Sequence, residues 1–93
     1  MNFIEIFNYV AKVARPAHTK ASIAESMDDV FQDIGLDSLD GLVMLMYFDE
    51  LYGIDDATSK EWSPKSVQEL YDLVMANKTK EPASMEEVKE VCK

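Results

Sequence analysis

Apolar residues along this chain recur at the spacing of helices rather than strands, in four separate stretches. In the first, Phe3, Phe7, Val10, Ala11 and Ala14 share one helical face. Asn2 precedes the run and Glu5 stands three positions on, an arrangement that satisfies N–H groups at a helix start. A helix is therefore predicted over about residues 3 to 14. Arg15-Pro16 ends it, because proline pushes the residue before it out of the α region. Residues 16 to 37 form a long connection, and a structureless loop of that length is unusual in so small a domain. Within it Ser22 and Glu25 are placed to start a short helical turn, and Val30, Phe31 and Ile34 to anchor the connection in the core.

The second stretch predicts a helix from Ser38 to about Tyr52, with Gly53 as its C-terminal cap. It is more apolar than a surface helix requires. Met44, Leu45, Phe48 and Tyr52 form one stripe, and Leu39, Leu42, Val43, Met46 and Tyr47 cannot all share it. The helix is thus either packed on two sides or presents an apolar surface to a partner. A short element around residues 56 to 62 precedes Trp62-Ser63-Pro64. A further helix, about 67 to 77, opens with the capping box Ser66-Val67-Gln68-Glu69, and Val67, Leu70, Tyr71 and Val74 face inward. Lys78-Thr79-Lys80-Glu81-Pro82 is a linker. Beyond it Ser84 and Glu87 form a second box, and Met85, Val88, Val91 and Cys92 share a face. A helix this short is marginal alone, so it docks or frays, and the regular stripe favours docking. The expected architecture is all-α: three long helices and one short over a domain of residues 1–77, then a linker and a short extra C-terminal helix over 78–93.

A chain of 93 residues, 47% of them hydrophobic, supports one modest core and excludes wholesale disorder. No run approaches the length of a membrane span, and no basic segment followed by an apolar one opens the chain. The lone Cys92 cannot form an intramolecular disulfide, which agrees with a reducing compartment. A soluble, cytoplasmic monomer without membrane insertion is expected.

Charge sharpens this picture. The net charge is −9, and the tail from residue 78 is neutral, with four lysines against four glutamates. Between Lys20 and Lys60 there is no base, but there are ten acids: Glu25, Asp28, Asp29, Asp33, Asp37, Asp40, Asp49, Glu50, Asp55 and Asp56. Binding to a phosphate backbone needs the opposite sign, so no nucleic-acid partner is expected. A one-sign patch steers encounter with basic protein surfaces instead.

Catalytic constellations are missing. One histidine, His18, sits in a polar loop, and no Ser/His/Asp or Cys/His set assembles around it. Zinc spacing and a glycine-rich phosphate loop are also lacking. Aligning Gly35 with the sixth position of a calcium loop puts Val30, Gln32 and Ile34 where oxygen ligands belong, leaving at most weak cation binding by clustered carboxylates. The chain is not expected to be an enzyme.

One segment does carry a chemical signal. Gly35-Leu36-Asp37-Ser38-Leu39-Asp40 places a serine hydroxyl after a turn and at the start of the apolar helix, beside amides that have no intrahelical partner. Such a position favours an attached phosphate, because the helix dipole and the free amides both stabilise negative charge. It is equally where a plain N-cap serine would stand.

This hexapeptide resembles the attachment motif of acyl carrier proteins, whose Asp-Ser-Leu serine carries 4′-phosphopantetheine through a phosphodiester. The resemblance covers about residues 3 to 77 and extends to the four-helix order. It implies that Ser38, flanked by Asp37 and Leu39, is the attachment site. It also implies that a phosphopantetheinyl transferase modifies it from CoA, and that acyl groups ride as thioesters to basic acyl-activating, acyltransferase or synthase partners. On the same resemblance Asp37, Asp40, Leu39, Leu42, Val43, Met46, Asp49, Glu50, Asp55 and Asp56 would dock those partners. Met46, Ile54, Ala57 and Trp62 would wall a pocket for the acyl chain.

The chain departs from the common fatty-acid form in that residues 41 to 47 hold no acid. Trp62-Ser63-Pro64 is similar to a segment of D-alanyl carrier proteins, although Leu39-Asp40 stands where those have Phe-Gly. The glycine pair of peptidyl carriers is missing. A specialised carrier for a fatty-acid, lipid or envelope, or polyketide pathway is the expectation. The alternatives are an aminoacyl carrier and an acidic helical adaptor in which Ser38 is only an N-cap.

Overall fold

The computed structural model describes residues 2–14 and 23–92. His18, Ser22 and the Arg15-Pro16 helix stop lie outside the described residues. Among those described there are five helices and no β-strand: α1 (Phe3–Ala14), α2 (Ser38–Tyr52), α3 (Asp56–Ser59), α4 (Val67–Asn77) and α5 (Met85–Val91). The all-α expectation is met, with three long helices, one short and an additional C-terminal one.

α1 starts where Asn2 predicts it, the Asn2 Oδ1 accepting from the Glu5 N–H at 2.9 Å. It buries Phe3, Ile6, Phe7, Val10 and Ala11. α2 buries Met44, Leu45, Phe48, Leu51 and Tyr52, the expected stripe with Leu51 added. The two faces meet through aromatic rings, with Phe3 stacked on Phe48 at 5.5 Å and set edge-on to Tyr71 at 5.0 Å. α4 packs on α1 and contributes Val67, Leu70 and Val74.

The connection before α2 is tied down by its own polar groups. The Asn8 side chain donates to the Ala24 carbonyl and accepts from its N–H, at 2.9 and 2.6 Å. The Asp29 carboxylate accepts from the Glu25 and Ser26 N–H groups, which holds its pKa below the usual carboxylate value. Further on, the Val67 and Gln68 amides donate to the Asp29 and Met27 carbonyls, and Phe31 donates to Lys65. The connection thus satisfies the first amides of α4, which no helix can satisfy internally. Phe31 stacks on Phe7 at 5.6 Å, as an anchor should. Val30 differs from expectation. Its side chain is exposed, and it holds the connection through a backbone bridge to Ser66.

The tail docks. Val88 and Cys92 are fully buried, and α5 packs on both α1 and α2. Its linker completes the end of α2 as well. The Thr79 and Lys80 amides donate to the Tyr52 carbonyl at 2.9 and 3.2 Å, and the Thr79 hydroxyl donates to the Gly53 carbonyl at 2.6 Å. Gly53 caps α2 at φ 63°, and a Cβ there would strike the Thr79 hydroxyl, so glycine is required by both conformation and space.

Candidate functional site

The candidate site is the N-terminus of α2. Gly35, at φ 81°, lets residues 30–35 turn tightly, and the Leu36 N–H then closes on the Phe31 carbonyl at 2.9 Å. Leu36 drops into the core, which fixes where the helix begins. The first helical residue is Ser38, as expected, but the cap is Asp37. The Asp37 carboxylate accepts from the Asp40 N–H at 2.9 Å, and the Asp40 carboxylate accepts from the Asp37 N–H at 3.1 Å. This reciprocal box is built by two aspartates, so the N-cap role considered for Ser38 belongs to its neighbour. The physical reason is register: the carboxylate one residue earlier reaches the N3 amide from the extended backbone that a cap requires.

Freed from capping, Ser38 is exposed at the first turn, and its hydroxyl makes no hydrogen bond among the described residues. The amides of Ser38 and Leu39 have no carbonyl one turn back to bond. A nucleophilic oxygen therefore stands at the positive end of a 15-residue helix, with its lone pairs unengaged.

Down α2 from Ser38 runs an apolar strip. Leu39, Leu42 and Met46 are 68, 57 and 66% exposed, at a spacing that places them on one face. Val43 and Tyr47 are half-buried. Acids frame the strip unevenly. Asp37, Glu50, Asp55 and Asp56 are exposed, whereas Asp40 and Asp49 are only half so. Asp55 caps α3 by accepting from the Ala57 N–H at 3.1 Å. Asp49 faces α3, where its Oδ2 accepts from the Ser59 hydroxyl at 2.5 Å while its buried Oδ1 has no partner. Burial, with Asp56 and Asp55 nearby, raises its pKa despite the Ser59 bond. The expected docking acids are thus of two kinds: Glu50 and Asp56 are exposed and cap no helix, whereas Asp37, Asp40, Asp49 and Asp55 are engaged in holding helices.

Beside Ser38 opens a cleft of about 660 Å³, bounded by the start of α2, the turn at residues 30–36 and the α3–α4 connection. Its floor is apolar, with Leu36, Met44, Leu45 and Leu70 all buried, and Trp62, Pro64, Lys60 and Lys65 form the far wall. Of the four pocket-wall residues expected from sequence, only Trp62 lines it. Met46 is exposed farther along α2, Ile54 is buried elsewhere in the core, and Ala57 is exposed on α3. Sequence reasoning missed Lys60, Lys65 and the floor residues, since the cleft is assembled from three non-contiguous segments. The available signal was that Lys60 and Lys65 are the first bases after the long acidic interval.

Among the described residues no three His, Cys, Asp or Glu side chains gather as a metal site, and no helix is long and apolar enough to cross a membrane. No protein-family model, curated protein or solved structure matches the chain.

Proposed function

We propose that this chain is an acyl carrier: Ser38 is modified with 4′-phosphopantetheine from CoA, and the carrier presents acyl groups to partner enzymes. The observation that carries the reading is the division of labour at the start of α2. Asp37 and Asp40 do the capping, and Ser38 stands exposed between them with an unengaged hydroxyl beside an apolar cleft. An adaptor that used this serine only to begin a helix has no need of it here.

Phosphopantetheine, when attached, supplies a terminal thiol that holds the acyl group as a thioester. The chain's own residues do the rest. Ser38 Oγ attacks phosphorus, its proton leaves to a base on the transferase, and the bond to the nucleotide half of CoA breaks. The α2 dipole and the free first-turn amides favour the phosphodiester that results. Asp37 and Asp40 hold the helix start in place and present negative charge to the transferase. Leu39, Leu42 and Met46 give partners an apolar footing, while Glu50, Asp55 and Asp56 attract basic surfaces. The buried cleft floor beside Ser38 shields the apolar part of a carried chain from water.

The test is incubation with an acyl-CoA and a promiscuous phosphopantetheinyl transferase, read by intact mass. The wild-type chain is expected to gain one acyl-phosphopantetheine, hydroxylamine to strip the acyl group alone, and Ser38→Ala to gain nothing. An unchanged wild-type mass would sink the proposal and leave the adaptor.

A further inference from the structure

We infer that the cleft beside Ser38 takes an acyl chain whose far end is negatively charged, such as a carboxylate, and that Lys60 and Lys65 select it. The inference rests on the carrier reading and adds the class of cargo. The cleft's 660 Å³ lies within the range of roughly 300–1,000 Å³ usual for ligand sites, and its floor suits a hydrocarbon chain. Its charge is anomalous for this molecule. In a chain of net charge −9, two lysines and one aspartate line the cleft, a local excess of positive charge. Neither lysine side chain has an ion-pair partner among the described residues.

The position of the lysines argues for an anion distant from the attachment point. Ser38 stands on α2, and Lys60 and Lys65 stand across the cleft on the α3–α4 connection. An anion at Ser38 already has the α2 N-terminus. The backbone that presents the lysines is fixed. The Lys60 N–H closes α3 on the Asp56 carbonyl at 3.0 Å, and the Lys65 carbonyl accepts from Phe31 at 2.9 Å. A neutral chain would bury its methylenes on the floor but gain nothing from the lysines. A cationic aminoacyl group would meet like charge there, which sets the acyl carrier apart from the aminoacyl alternative.

Trp62 is the single tryptophan and lies on the same wall, so its fluorescence reports occupancy directly. The full chain is loaded on Ser38 from dodecanoyl-CoA, from the CoA thioester of dodecanedioic acid, or from CoA alone, with loading verified by intact mass. Acrylamide quenching of Trp62 is then compared. The carboxylate-ended chain is expected to protect Trp62 better than the neutral one by a factor of about 1.4 to 5, the range for exposed ion pairs. That advantage should vanish in the Lys60→Gln/Lys65→Gln variant and in high salt, while protection by the neutral chain persists. Equal protection by both chains in the wild type overturns the inference. So does a lysine-dependent change already present with the unacylated group, which assigns the lysines to the phosphodiester. No adduct on Ser38 removes the carrier reading itself, a failure that the mass shows before any fluorescence is read.

Discussion

At the N-terminus of α2, two adjacent residues that look alike in sequence have separate duties. Asp37 holds the helix start through its bond to the Asp40 amide, and the Ser38 hydroxyl makes no hydrogen bond among the described residues. Asp37→Ala should therefore cost about 1 kcal/mol, the usual worth of an N-cap. Ser38→Ala should leave the thermal midpoint nearly unchanged and abolish phosphopantetheinylation. Parallel melts and mass spectra of the two variants check this, and a Ser38→Ala variant as destabilised as Asp37→Ala would return the cap to the serine. The hexapeptide was legible in sequence as a helix start with a candidate nucleophile. Which residue capped it was not, because serine and aspartate are near-equal caps and only the backbone register chooses. Asp49 is the second instructive residue. Its carboxylate is partly desolvated beside Asp55 and Asp56, so its folded pKa lies above its unfolded one. For an acid raised on folding, stability falls as pH rises above the ordinary value of 3.8, and the deficit is fully present at neutral pH. Asp49→Asn keeps an acceptor for Ser59 and removes the charge. It should stabilise the fold at pH 7 by about 0.5 kcal/mol, a small gain because solvent screens the site, and by nothing near pH 3. Chemical denaturation at the two pH values measures the difference.

Among the elements, α2 and α5 show where the pattern of apolar residues succeeds and where it stops. The bounds of α2 follow from Asp37 and Gly53, and its core stripe from periodicity. Its surplus of apolar residues could not be assigned from sequence, since a helix apolar all round has no preferred face. The structure buries Met44, Leu45, Phe48, Leu51 and Tyr52 and leaves Leu39, Leu42 and Met46 in water. The docking of α5 was half legible, through the face shared by Met85, Val88, Val91 and Cys92. What sequence could not supply is that residues 79 and 80 bond the end of α2, because those partners lie 26 or more positions away. The tail is thus part of the fold. Val88→Ala should destabilise it by about 2 kcal/mol, a value typical of a lost buried side chain. Burial, with Glu50 nearby, pushes the Cys92 thiol up to about 11. Against an ordinary value of 9.0 this lowers the thiolate population at pH 8 about a hundredfold, so Cys92 should react slowly with a thiol reagent. Val88→Ala should speed that reaction by opening the contact, and an unaltered rapid rate in both proteins would refute docking.

For the molecule as a whole, charge and cleft define what it can meet. A net charge of −9, with no base from residue 21 to residue 59, should make association with the proposed transferase fall by about tenfold or more between low and high salt. Stopped-flow binding at graded ionic strength reads this directly. The fold class and the acidic field were visible in the sequence because both are sums over many residues. The cleft was not, because it exists only where the turn at residues 30–36, the start of α2 and the α3–α4 connection converge. That convergence places Trp62 on the same cleft as Ser38 and keeps Met46, Ile54 and Ala57 out of its lining. The central claim is that Ser38 is a covalent attachment point, and peptide-level mass spectrometry tests it most directly. After incubation with CoA and a promiscuous phosphopantetheinyl transferase, fragmentation should place one phosphopantetheinyl group on Ser38, in the peptide that contains Asp37 and Leu39. An unmodified Ser38, or an adduct on any other residue, would contradict the account.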